Sequence, residues 1–366
     1  MRIRSVRLDR VVIPFLEPFR IANGEVSKKE AIIVSIQTTD GVRGVGEASP
    51  MGGSFYSDET PDSTWKFLNE VLIPHVFTLP DYSPEQFAEY LNQFTHEPFA
   101  RAGLEGAVWE AYAHQIGSPL YALLGGKRTD IPSGAAIGLF DTIDELLSRV
   151  EKFLHFGYRR IKIKIQPGWD IEPLRAIRNR FGNIPLMVDA NASYGIDRDV
   201  SIFNEIDQFG LMMIEQPLAK ESFEESAELQ RRLQTPLCAD ESAYSFEALE
   251  KIIELRSAKI INIKVQRVGG LYNAKRMAER AMRAGMPCWL GTMPELGIAS
   301  AQGLHLASHP AFQYPTDIEA SDRWYREDII SPNIEVEPSG VIVLRNWGAD
   351  AAKISRFSIE EKVFSA

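Results

Sequence analysis

Beyond about residue 130 the apolar positions fall into short continuous runs, separated by longer stretches in which apolar residues recur with helical spacing. Five of the runs are R-I-K-I-K-I (160 to 165), L-M-V-D-A-N (186 to 191), M-M-I-E-Q-P (212 to 217), L-C-A-D-E-S (237 to 242) and I-N-I-K-V (261 to 265). Each contains a charge that an apolar run should not carry. Lys164, Asp189, Glu215, Asp240 and Lys264 mark them at steps of 25, 26, 25 and 24 residues, one strand and one helix per step. Continuous apolar strands of this kind are buried on both faces, as in a parallel sheet. The pattern predicts strands near 133–138, 160–165, 185–190, 211–216, 236–241, 260–265, 287–292 and 312–318, with a helix after each of the first seven. Eight such units make an α/β fold of the (β/α)8 barrel type, and barrels of this kind place their chemistry at the carboxyl-terminal ends of the strands.

The first 128 residues follow a different pattern. Strands are predicted over 2–13 and 30–39, with a hairpin at Asp40-Gly41. Helices follow near 62–73, from Ser83-Pro84-Glu85-Gln86, which reads as a capping box with proline at the first helical position, and over 100–116. Strands followed by helices indicate an α+β capping domain over 1–128. Two loops, 16–25 and 49–60, have the glycine and aromatic content of lids and place Phe19 and Tyr56 as substrate contacts. A strand is predicted at 339–344. The segment 325–366 is expected to rejoin the first domain, leaving 129–324 as the barrel.

Composition narrows the class. The 366 residues are 45% apolar and 25% charged, with a net charge of −10. That acidity argues against a nucleic-acid or anionic-membrane partner; the lysines and acids at the strand ends are what suit the expected small carboxylate substrate. No apolar run approaches the roughly 20 residues of a membrane span, and no signal-peptide pattern opens the sequence. The two cysteines, Cys238 and Cys288, fall inside predicted strands, so a reducing cytoplasm and no disulfide are expected. A homo-oligomer is expected.

In a ring of eight strands, Lys164 and Lys264 stand four strands apart, on opposite sides of the mouth, with the three carboxylates on the arc between them. One strand-end acid is readily a helix cap. Five buried charges in one register would cost several kcal/mol per ion without a use. Three carboxylates in a partly dry mouth call for a cation, and all-oxygen ligation suits Mg²⁺, or Mn²⁺, better than zinc. A divalent ion flanked by lysines suits removal of a proton next to a carboxylate. Lys162 shares a face with Lys164 by strand alternation and is the cation suited to helping Lys164 act as base.

The strings K-I-K, V-D-A-N, I-E-Q-P, A-D-E-S and I-N-I-K resemble the enolase superfamily, specifically its muconate-lactonizing subgroup. The stretches F-Y-S-D-E-T-P-D-S-T-W, G-Y-R-R-I-K-I-K-I-Q-P-G-W-D and S-D-R-W-Y-R-E-D-I-I are similar to its o-succinylbenzoate synthase and N-succinylamino acid racemase family. The resemblance implies a capping domain on a modified barrel. It also implies Mg²⁺ on Asp189, Glu215 and Asp240, Lys164 as general base and Lys264 as its opposite partner. The implied reactions are loss of water from 2-succinyl-6-hydroxy-2,4-cyclohexadiene-1-carboxylate, through a metal-stabilised enediolate, to give 2-succinylbenzoate for menaquinone synthesis, or exchange of the α-proton of an N-succinylamino acid. Asn191 and Glu241 are expected to steady the metal ligands. Gly291, Thr292 and Met293 are expected to line the succinyl end of the pocket, with threonine where many relatives are expected to have glycine.

Other classes remain open. A dipeptide epimerase or cycloisomerase fits the same residues. A Schiff-base aldolase needs a strand lysine but not three carboxylates, and borohydride trapping would reveal it. The six histidines fall in predicted helices or loops, against a zinc hydrolase.

Overall fold

A computed structural model describes residues 1–21, 24–52 and 57–366. At the amino terminus, β1 (Ile3–Ile21) and β2 (Gly24–Thr38) form one long antiparallel ladder, with β3 (Arg43–Ala48) on the far side of β2. The turn between β2 and β3 contains Gly41 at φ 86°, a backbone that glycine adopts without strain. The first expected lid differs from its prediction. Phe19 pairs with Val26 and Ile21 with Gly24, so much of 16–25 is strand, resumed after an irregularity between Pro14 and Phe19. Pro14 and Pro18 cannot donate to a ladder, which accounts for the break and for the loop-like appearance of the sequence. In the second lid, residues 53–56, Tyr56 among them, lie outside the described residues.

Helices complete this layer. α1 (Pro61–Phe67) begins with a capping box made by Thr60 and Ser63 and runs on through a π-helical turn, Leu68–Leu72. α2 (Pro84–Leu91) begins with the predicted Ser83 and Gln86 box. α3 (Pro98–Ile116) lies on β3 so closely that a Cβ on Gly46 would stand 2.0 Å from the Gly103 carbonyl oxygen.

The periodic part folds as seven parallel strands in sequential order: β4 (Ala135–Ile137), β5 (Ile161–Lys164), β6 (Leu186–Asp189), β7 (Ile214–Glu215), β8 (Leu237–Ala239), β9 (Ile260–Ile263) and β10 (Cys288–Leu290). Each is followed by its predicted helix: α4 (Ile143–His155), α5 (Ile171–Phe181), α6 (Ile196–Ile206), α7 (Phe223–Arg232), α8 (Phe246–Leu255), α9 (Leu271–Arg283) and α10 (Gly297–Ala307). The eighth segment is not a regular strand. It closes the ring through bridges of Phe312 to Cys288 and of Thr316 to Ser133. Pro315, without an N–H, interrupts the ladder between those bridges. Along the strands Ile161, Ile163, Val188, Ile214, Leu237 and Ile261 join the main core with the helices. Met187, Met213, Cys238, Ile260 and Trp289 form a separate inner cluster, the floor beneath the mouth. Both cysteines are buried free thiols, and among the described residues no helix is long and apolar enough to cross a membrane.

The two layers are joined at helix ends. α9 and α10 have Gly270 and Leu296 at their N-caps and no side-chain cap of their own. Glu105 on α3 accepts from the amides of Leu271 (2.6 Å) and Tyr272 (2.9 Å); Glu47 on β3 accepts from Leu296 (2.8 Å) and Ala299 (2.9 Å). The carboxylates satisfy amides that would otherwise be orphaned and meet the positive end of each helix dipole. Glu47→Ala is expected to lower stability by about 2 kcal/mol, read as a reduced urea midpoint, because it strands two buried donors. An unchanged midpoint would remove Glu47 from the joint. The tail contributes one strand, Ser358–Ser365, to the free edge of β1 and another, Val341–Val343, to Asp130–Pro132 at the start of the barrel.

Candidate active site

Strand register builds the site. Lys164, Asp189 and Glu215 are partners across β5, β6 and β7, and Glu215 is level with Cys238 on β8. Alternation then puts Asp240, two residues beyond Cys238, on the same inward face. Lys264 follows β9 directly, on the other side of the acids from Lys164. Two residues below the charges on their strands come Met187, Met213 and Cys238, so an apolar floor supports a polar layer.

The charges pair laterally. Lys164 Nζ donates to Asp189 Oδ2 and to Asn191 Oδ1, both at 2.6 Å. Asn191, at φ 41°, is turned back over the strand end, and its amide nitrogen donates to Glu241 at 3.0 Å. Lys264 Nζ stands 2.8 Å from Asp240 Oδ2, and Arg267 Nη1 lies 2.6 Å from Asp240 Oδ1. Burial alone would raise the Asp240 carboxyl; Arg267 and Lys264 outweigh it and hold the group well below the usual carboxylate range. Glu215 goes the other way, pushed up to about 8 by burial and then by the negative charge of Asp189, against the pull of Lys162. Burial, with Asp240 and Asp189, lifts Glu241 to about 6.

Lys162 is held by Asp317, with Glu215 at 3.3 Å and Asp189 at 3.8 Å. Burial pulls its ammonium down, but Asp317, Glu215 and Asp189 outweigh that and keep it above its usual range. Lys162 is therefore anchored as a cation among carboxylates.

Each carboxylate pairs with a neighbouring ammonium, and no set of three His, Cys, Asp or Glu among the described residues is arranged to hold an ion. The donor set nevertheless suits a hard divalent cation. Glu215 is fully buried, its Oε2 receives no hydrogen bond, and the charges that push its carboxyl up are those an ion between the acids would offset.

Above the layer is a cleft of about 50 Å³ lined by Lys162, Lys164, Asp189, Asn191 and Lys264, and on its apolar side by Phe19, Met51, Met293 and Trp324. Thr292 and Met293 also line it, and Phe19 meets Trp324 edge-on at 5.2 Å. Gly291 is not among the lining residues. A Cβ there would fall 2.1 Å from Asn262 Oδ1, so its lack of a side chain makes room for Asn262, whose amide donates to Glu215 Oε1 at 2.7 Å. Asn262, Arg267 and Asp317 are site residues that sequence reasoning passed over. Asn262 carried the same signal as the others, a polar residue inside an apolar run, whereas Asp317 stands in the mixed stretch Q-Y-P-T-D-I-E. Gln216, at φ 37°, accepts from the amides of Asp240 (3.0 Å) and Ser242 (3.1 Å) and so ties the third acid to the second.

Comparison with known proteins agrees with this architecture. Residues 3–125 match the mandelate racemase / muconate lactonizing enzyme N-terminal domain, and residues 145–349 match the enolase C-terminal domain-like family. An o-succinylbenzoate synthase of Geobacillus kaustophilus is 38% identical over 98% of both chains. An N-succinylamino acid racemase of Amycolatopsis sp is 40% identical over 91% of this chain and 90% of its own. A solved enolase superfamily member from Listeria innocua Clip11262 superposes with a TM-score of 0.95 at 31% identity, over 100% of this chain and 99% of that one. A dipeptide epimerase from Enterococcus faecalis V583, solved with Mg and a dipeptide, shares the fold at a TM-score of 0.88 and 24% identity, over 96% and 99%. With the capping sheet, the parallel barrel and both family domains in place, the chain is an enzyme of the enolase superfamily, in its mandelate racemase and muconate lactonizing group.

Proposed function

We propose that the chain is a Mg²⁺-dependent o-succinylbenzoate synthase, removing water from 2-succinyl-6-hydroxy-2,4-cyclohexadiene-1-carboxylate. The observation that carries the reading is the pair of buried lysines at the ends of strands four apart, each beside a carboxylate and both lining one cleft. Lys164 takes the α-proton on Nζ, oriented by Asn191 and Asp189. The C–H electron pair moves into the ring as the C–O bond to the hydroxyl breaks; the departing hydroxide and one proton make up the water lost, and the ring becomes aromatic. Lys162 and Lys264 are fixed positive charges near the negative charge that develops. Asp189, Glu215 and Asp240 would hold Mg²⁺, which when bound supplies Lewis-acid stabilisation of the substrate carboxylate. Phe19, Met51, Met293 and Trp324 shield the reacting carbon from water.

A second reading has a specific observation behind it. Lys264 lies across the cleft from Lys164, so a proton removed from one face of a carbon could be replaced on the other, as racemisation of an N-succinylamino acid requires. Purified protein with Mg²⁺ is expected to turn over the synthase substrate, with racemase activity alongside. EDTA should reduce both rates by about 10³-fold or more, with recovery on adding Mg²⁺ or Mn²⁺. Full turnover in EDTA, or none of either substrate with Mg²⁺, would sink the proposal.

A further inference from the structure

Lys29 is a buried ammonium outside the catalytic layer. It sits on β2 opposite Ile13, is 2% exposed, and donates to two main-chain carbonyls, Ser49 at 2.9 Å and Pro50 at 2.7 Å. Burying an ammonium on two neutral carbonyls is expensive. The charges facing it are Glu47 on β3, Glu295 in the loop between β10 and α10, and Glu30 beside it on β2. Burial draws the ammonium down to about 8 against the pull of those three acids.

Three parts of the cleft wall meet here. β2 is one arm of the long amino-terminal hairpin, and Ser49-Pro50 follow directly on β3. Glu295 closes the turn that presents Thr292 and Met293. Ser49 is held again from the barrel: its amide donates to Gln266 Oε1 at 3.1 Å, and Gln266 Nε2 donates to the Glu47 carbonyl at 2.9 Å. The next residue after the two latched carbonyls is Met51. It lines the cleft and packs in one small cluster with Val26, Phe99 and Met293.

We propose that Lys29 is a positioning residue: its ammonium fixes the backbone at Ser49 and Pro50, and so sets Met51 against Met293 as the apolar wall that receives the substrate's substituent. This rests on the carboxylate chemistry proposed above for what occupies the cleft, but the latch itself is testable without substrate. Lys29→Met should speed amide hydrogen exchange over residues 47–52 by about tenfold, while exchange in α5 on the far side of the barrel stays unchanged. Lys29→Arg, which keeps a buried donor cation, and Lys28→Met, at the exposed neighbour, should match the wild type. If Lys29→Met does not fold, Lys29→Gln, which removes the charge and is one bond shorter, is read in its place.

With whichever substrate the wild type turns over, Lys29→Met should raise KM about tenfold with kcat within about threefold, and Met51→Ala should do the same. A merely structural lysine would lower the melting temperature without that split. Unchanged exchange over 47–52, or a fall in kcat with KM unaltered, overturns the proposal. A wild type inactive on both substrates removes the proposed function and leaves the exchange experiment to decide the latch.

Discussion

Replacing Lys164 by alanine is expected to lower turnover of either substrate by at least about 10³-fold while the protein remains folded. The loss should be large because the side chain cannot be replaced locally. Lys162, the nearest other amine on that strand, is tied to Asp317 and close to Glu215. Folding should survive, since Asp189 keeps Lys162 at 3.8 Å and the Asn191 amide at 3.0 Å. Initial rates with saturating Mg²⁺, beside circular dichroism of the variant, make the measurement. Turnover within about tenfold of wild type would mean that another group takes the proton.

Lys264→Arg should separate the two reactions. A guanidinium keeps positive charge beside Asp240 but does not give up a proton at any working pH. If Lys264 serves the synthase as a charge, dehydration should persist within about tenfold. If it serves the racemase by proton exchange, racemisation should fall by at least about 10²-fold. Rates of both reactions on one preparation decide the matter, and equal residual activity in the two would end this division of labour. Asp240 should tolerate the change, because Arg267 already holds its other oxygen at 2.6 Å.

Much of this was legible in the chain because a charge inside an apolar strand is costly and therefore conspicuous. Lys164, Asp189, Glu215, Asp240 and Lys264 were found in that way, and the regular step between them gave the barrel and its strand order. Asp317 gave no such signal, because it stands in the segment that Pro315 makes irregular, where the strand pattern is weakest. The first lid was misread because two prolines and Gly24 imitate a loop in a stretch that pairs as a hairpin. Gly291 looked like pocket lining, whereas the reason for its size is Asn262 on the neighbouring strand, which local sequence does not reveal. The lateral pairing of lysines with acids also depends on side-chain positions that periodicity does not encode. Contacts between distant parts of the chain were hidden altogether, Lys29 with Ser49 and Glu47 with Leu296 among them.

The glutamates that finish α9 and α10 from the other layer bear on how this protein can be taken apart. A fragment holding only residues 129–324 would present two frayed helix ends and the bared surface that β3 and α3 cover. Anyone grafting a foreign front half onto this barrel must therefore carry over an acid at the places of Glu47 and Glu105, or supply new caps at Gly270 and Leu296, before the chimera's activity says anything about the lids.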